Sequence, residues 1–214
     1  MLIRLVIVLP AQLTTGSTPQ QILNWLPGYF VAVITLTIAT GLIGWVVGSM
    51  AQGISIKFTS DFLEKGQANL QTSFSFAASR ILSILAVSII TGVLIFLGAL
   101  ALIIPGIILA IMFSLVVQTI IIEDTGALES LARSRRLVSG RWLKTFALLL
   151  VLYIMVGIVT GIGVAIGTPF GLAGTLVSSL ITALIQPILP IGLTLYYYLM
   201  IARTTPQTAT QAQP

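Results

Sequence analysis

Residues 81–122 read ILSILAVSIITGVLIFLGALALIIPGIILAIMFSLVVQTIII, 42 positions without an Asp, Glu, Lys or Arg. As one helix this stretch would extend roughly 63 Å, about twice the hydrocarbon thickness of a bilayer. Pro105-Gly106 in its middle is a breaker pair. The stretch therefore predicts two membrane spans, near 81–102 and 107–122, joined by a tight hairpin.

The same arithmetic works outward. Trp25–Met50, WLPGYFVAVITLTIATGLIGWVVGSM, forms a span over 25–50. A further span covers 145–166, the turn GTPFGLAG follows, and a fifth span covers 175–201. Pro187 and Pro190 predict a kink in the last one. Charged residues make up only 7% of the chain and the mean hydropathy is +1.11, whereas a soluble domain carries about 25%. The expected fold is all-α, a polytopic helical membrane protein in one integral domain over 1–203. The polar tail TTPQTATQAQP, 204–214, is expected to be disordered. The opening MLIRLVIVLPAQL, residues 1–13, is too short to span and is interrupted by Pro10. It reads as a short re-entrant or interfacial helix, with a shortened span or a signal peptide as alternatives.

The chain has no Cys and no His. That excludes disulfides, thiolate or imidazole metal sites and nucleophile–histidine pairs, so neither a metal nor another cofactor is expected. The spans carry no acid or base except tyrosine, which argues against proton-coupled transport. An enzymatic role would fall to Asp61, Glu64, Glu123, Asp124 and Glu129, all in or beside the charged loops. The net charge of +5 comes from basic residues that flank apolar spans. It points to membrane lipids rather than nucleic acid as partner.

The segment 123–146, EDTGALESLARSRRLVSGRWLKTF, holds three of the five acidic residues and five of the ten basic ones. With five spans, the loops 51–80 and 123–144 and the C-terminus share one side. Lys57, Lys65, Arg80, Arg133, Arg135, Arg136, Arg141, Lys144 and Arg203 lie there, against Arg4 alone on the other. The positive-inside rule makes these loops and the C-terminus cytoplasmic, in a multi-pass protein of the cell membrane.

Both loops are expected to hold an amphipathic helix. A shift of 61 residues aligns Leu70, Ser73, Arg80, Leu82 and Ala86 with Leu131, Ser134, Arg141, Leu143 and Ala147. This is either a parallel repeat or a coincidence of two membrane-entry segments. In the second helix, Leu128, Leu131, Val138 and Trp142 fall on one face, and Glu129, Arg133 and Arg136 on another. Asp124 or Thr125 is expected to cap its start, and Ser139-Gly140 to end it. Arg133, Arg135, Arg136, Arg141 and Lys144 would dock lipid headgroups or a partner, or would simply anchor the topology.

The segment LIIPGIILAIMFSLVVQTIIIEDTGALESLARSRRLVSGRW (102–142) resembles the glycerophosphoryl diester phosphodiesterase membrane-domain family and related multi-pass proteins. The shared pattern is a Pro-Gly hairpin, a span ending in Glu123, a small-residue helix with Ser134, and Gly-Arg before the next span. The resemblance, over about 50–165, implies a helical membrane module, attached in some members to a phosphodiesterase domain. That catalytic domain is absent from this sequence.

Two further patterns concern the spans. Gly44 and Gly48, Gly157 and Gly161, and Gly163 and Gly167 have the GxxxG spacing that lets helices approach closely or forms a subunit interface. Thr175, Ser178, Ser179, Thr182 and Gln186 form a polar stripe on the fifth span. The stripe lines a path for a polar solute or headgroup, or else hydrogen-bonds between helices. The expected function is a non-catalytic accessory or structural subunit of a membrane complex, with a membrane-protein partner or a homo-oligomer. The alternative is a passive lipid or small-solute translocator using the stripe.

Overall fold

A computed structural model of the protein describes residues 18–204, apart from a few side chains. The expectations for 1–13 and for the tail after Thr204 lie outside these residues. Among the described residues, eight α-helices follow one another: α1 Pro19–Lys65, α2 Leu70–Ala101, α3 Ile103–Met112, α4 Val116–Ile122, α5 Ala127–Val138, α6 Trp142–Gly167, α7 Gly171–Ile185 and α8 Ile188–Thr204. No strand occurs among the described residues. Five segments of the described residues are long and apolar enough to cross a membrane: Ile22–Lys65, Leu70–Ala101, Ile103–Ile122, Trp142–Gly167 and Ala173–Ala202.

The chain divides into two units between Gly48 and Ser49. In the first, Trp25 stacks on Tyr29 with ring centroids 4.7 Å apart. Thr35, Thr37 and Thr40 each return their hydroxyl to a carbonyl of their own helix, four residues back. These bonds satisfy the side chains within a stretch, 30–48, otherwise made of apolar residues and glycine.

The second unit has its core where the charged residues lie. Ile56, Ile84, Val87, Val116, Ile120, Ile121 and Leu131 form one cluster. Ile111, Leu115, Leu137, Val138, Leu152, Leu193, Tyr197 and Met200 form another. The short helices α4 and α5 contribute to both. The third span is the most buried, with 39% of its most apolar window covered against 6–17% for the others.

Local chemistry explains the boundaries and corrects several expectations. The first amphipathic helix is not separate. With no Pro after Pro27, α1 runs on through Gly53 to Lys65 and buries Gly53, Ile56, Ser60 and Asp61. It stops at Gly66, whose φ of +68° suits glycine and whose amide donates to Phe62 O at 3.0 Å. Asn69 then caps α2, its Oδ1 accepting from the amides of Gln71 and Thr72.

Pro105-Gly106 does not make the hairpin turn either. The turn is the single extended residue Leu102, and Pro105 sits in the first turn of α3, where its missing N–H costs no helical bond. Gly106 is needed for closeness: a Cβ there would come within 2.9 Å of the Ala99 backbone. The turn after α6 is shorter than GTPFGLAG. A 3-10 turn over Thr168–Phe170 leads into Gly171, with φ +57°, and α7 starts there. Gly167 and Gly174 pass so closely that neither position has room for a Cβ. The kink expected in the last span is a break between Ile185 and Ile188, with Pro187 at the break and Pro190 in the first turn of α8.

Candidate functional site

The charged segment folds as α5 and docks on the protein rather than lying free. Ser130, Leu131, Ser134, Leu137 and Val138 are buried at helical spacing. Leu128 and Trp142, expected on the apolar face, are exposed. Large side chains dominate the hydropathy pattern of this segment, whereas Ser130 and Ser134 are, with Val138, its fully buried residues. Gly126 is the N-cap, with no side-chain bond, in place of Asp124 or Thr125. Ser139-Gly140 ends the helix as expected, with Gly140 at φ +79°.

Ser134 answers a break in the third span. Between α3 and α4, residues 113–115 leave the helical path. The Ser134 hydroxyl donates to Met112 O at 2.7 Å and accepts from the Leu115 amide at 3.3 Å. One side chain from α5 thus serves both a carbonyl and an amide at the break. Nearby, the Thr119 hydroxyl donates to Val116 O at 2.6 Å, with Ser130 O at 3.4 Å. Gln118 is fully buried, and its amide group has no hydrogen-bond partner within the chain.

Ion pairs tie the same end together. Arg133 turns to Glu123, with Nε and a terminal nitrogen donating at 2.7–3.0 Å. Burial opposes ionisation of Glu123, but the Arg133 hydrogen bonds and charge outweigh it and hold the carboxyl below its ordinary range. Arg133 is raised in turn, chiefly by its hydrogen bonds to Glu123. The Tyr197 hydroxyl adds a favourable dipole to Glu123 yet finds no partner at hydrogen-bonding geometry. Arg80 pairs with Asp124 across the α4–α5 loop. Asp61 takes Lys57 at 3.1 Å and Lys65 at 2.8 Å. Tyr198 of α8 donates to Glu64 and lies 2.8 Å from the Ser60 hydroxyl. Four of the five carboxylates therefore hold helices or loops in place.

The expected docking residues separate accordingly. Arg133 is spent on Glu123, while Arg135 and Arg136 are exposed on the outer face of α5. Arg141 and Lys144, at the start of α6, line a cleft of about 80 Å³ with Tyr196, Leu199 and Met200 of α8.

The glycines divide as well. Gly163 packs on Ile181, and Gly167 on Gly174. A Cβ added at Gly44, Gly48, Gly157 or Gly161 would meet nothing within 4 Å. The packing contacts missed in sequence are Gly106 against Gly98 and Ala99, and Gly53 against Ala77 and Ile84. Their signal was a small residue on each side of a turn rather than a spacing within one helix. Along the polar stripe, Thr175, Ser178, Ser179 and Thr182 donate to carbonyls of α7 itself, including Gly171, Thr175 and Ser178. Gln186 is exposed at the break before α8.

The five apolar helical segments among the described residues define a polytopic helical membrane protein. The chain belongs to the family described as Domain of unknown function (DUF7847), which matches residues 11–202. No curated protein and no solved structure matches it.

Proposed function

We propose that this protein is a non-catalytic subunit of a membrane complex, packing through open helix faces against a partner protein or a second copy. One observation carries this reading. On α6, Gly157 and Gly161 form two notches with nothing within 4 Å. Ile154, Ile158 and Ile162 stand exposed beside them at helical spacing. Notches between large apolar ridges suit a second helix at short distance. The engagement of four carboxylates in structural contacts supports a non-catalytic role. The phosphodiesterase membrane-domain resemblance is in keeping with a module that serves an attached or separate partner.

The charged end is proposed to face the cytoplasm, on the nine-to-one asymmetry of basic residues. The translocator alternative needs the α7 stripe to line a passage. With Thr175 and Ser179 exposed on this chain, a second molecule would have to supply the opposite wall.

Mild-detergent extraction from native membranes, followed by native mass spectrometry, tests the subunit reading. A stoichiometric assembly that dissociates in a Gly157→Leu/Gly161→Leu variant is expected. A monomer with the same mass distribution in wild type and variant would overturn it.

A further inference from the structure

We propose that Arg141, Lys144 and Tyr196 bind the phosphate of an anionic phospholipid. The three line one cleft of about 80 Å³ where α6 begins and α8 approaches its end. Leu199 and Met200 complete its walls, and no carboxylate does so among the described residues. Glu123, Asp124 and Asp61 are already taken by Arg133, Arg80 and two lysines. Two cations thus line one small space with no counter-charge from the described residues lining it, which favours an anion from outside.

The hydroxyl network can complete the site. Thr145 is fully buried, and its hydroxyl lies 3.2 Å from Arg141 O and 3.0 Å from the Tyr196 hydroxyl. Its single proton can go to either oxygen. When it goes to Tyr196, the phenol O–H is free to donate into the cleft. A phosphate would then receive two charge-assisted bonds and one neutral one.

The surroundings select a lipid over a free ion. Ile191, Leu195 and Leu199 are exposed at four-residue intervals along α8, leading from the cleft along the span. An acyl chain attached to the bound phosphate has an apolar strip to follow. Basic pockets at the ends of membrane helices hold headgroups in this way. The site is independent of the subunit proposal, because it needs no protein partner.

The test uses the full-length protein, delipidated in detergent and titrated with phosphatidylglycerol or phosphatidylcholine, with native mass spectrometry as readout. Phosphatidylglycerol should bind about tenfold tighter or better. Arg141→Gln/Lys144→Gln should erase that preference. Arg135→Gln/Arg136→Gln, which removes the same charge from α5, should keep it. Inorganic phosphate at equal concentration should not displace the lipid. Equal losses in the two double variants would reduce the site to general surface charge, and displacement by inorganic phosphate would make it a free-anion site. Either result overturns the proposal. If the first double variant does not fold, Lys144→Met at an exposed position decides alone, with about fivefold weaker binding expected and unchanged binding overturning the site.

Discussion

Arg133 holds Glu123 from ten residues away, through Nε and a terminal nitrogen together, and so fastens the end of the third span to the helix that follows it. Neither side chain is fully buried, with 31% and 25% left exposed. Removing one partner by Glu123→Gln or Arg133→Met should therefore cost about 1–3 kcal/mol, between the surface and the buried limits. A double-mutant cycle read by thermal unfolding in detergent measures the coupling. No coupling would make the pair ornamental.

The same pair sets a pH dependence. The folded carboxyl of Glu123 lies below its ordinary value of 4.5, so its contribution is complete above that value and fades as pH falls through the depressed folded one. Wild type should lose more stability than Glu123→Gln between about pH 5 and pH 3. The raised Arg133 acts at the opposite extreme: its contribution is present below the unfolded value and lost only at strongly alkaline pH. Parallel melting curves of wild type and variant over the acid range would contradict the assignment.

Ser134→Ala should cost about 1–3 kcal/mol, because Met112 O and the Leu115 amide lose their partner at a buried position. Ser73→Ala is the comparison. Ser73 is equally buried, but its hydroxyl serves only Asn69 O of its own helix start, and the expected cost is below about 1 kcal/mol. Amide hydrogen exchange at residues 113–116 should quicken in the first variant only.

Gly106→Ala should destabilise by about 1–3 kcal/mol, since the added carbon meets the backbone of Ala99. In the isolated monomer, Gly157→Ala and Gly161→Ala should be neutral or gain up to about 1 kcal/mol from helix propensity, as nothing opposes the added methyl. Thermal melts of the four proteins separate the two kinds of glycine. A large loss at Gly157 would mean that its face is already packed within the chain.

Because the chain lacks cysteine, single-cysteine labelling can settle its orientation. Ser139 is exposed beside Gly140 and suits the purpose, whereas the fully buried Ser130 does not. A Ser139→Cys variant should react with an impermeant thiol reagent only from the cytoplasmic side. Labelling from outside would reverse the proposed orientation.

The spans were legible because their signal is length and apolarity, which depend on no partner. Uncharged runs and the pairs Pro105-Gly106 and Ser139-Gly140 placed the breaks within a few residues. The repeat shows where such reading stops. Ser73 and Ser134 are both buried, as the alignment implies. Yet Ser79 continues α2 where the aligned Gly140 takes φ +79° and separates α5 from α6. A single residue thus gives two aligned segments different shapes. The seam of Ser130, Ser134 and Thr119 was not legible. Small polar residues show no periodic excess of hydropathy, and their role depends on a backbone break in another helix.

The bridge from Ser134 to the broken third span also bears on the order of synthesis. Leu115 and Met112 find their partner 19 and 22 residues further along the chain. A nascent chain halted before position 134 would carry the whole apolar run of 81–122 but still hold that carbonyl and amide open. The bonds that close this break can therefore form only once the charged helix behind it has been made.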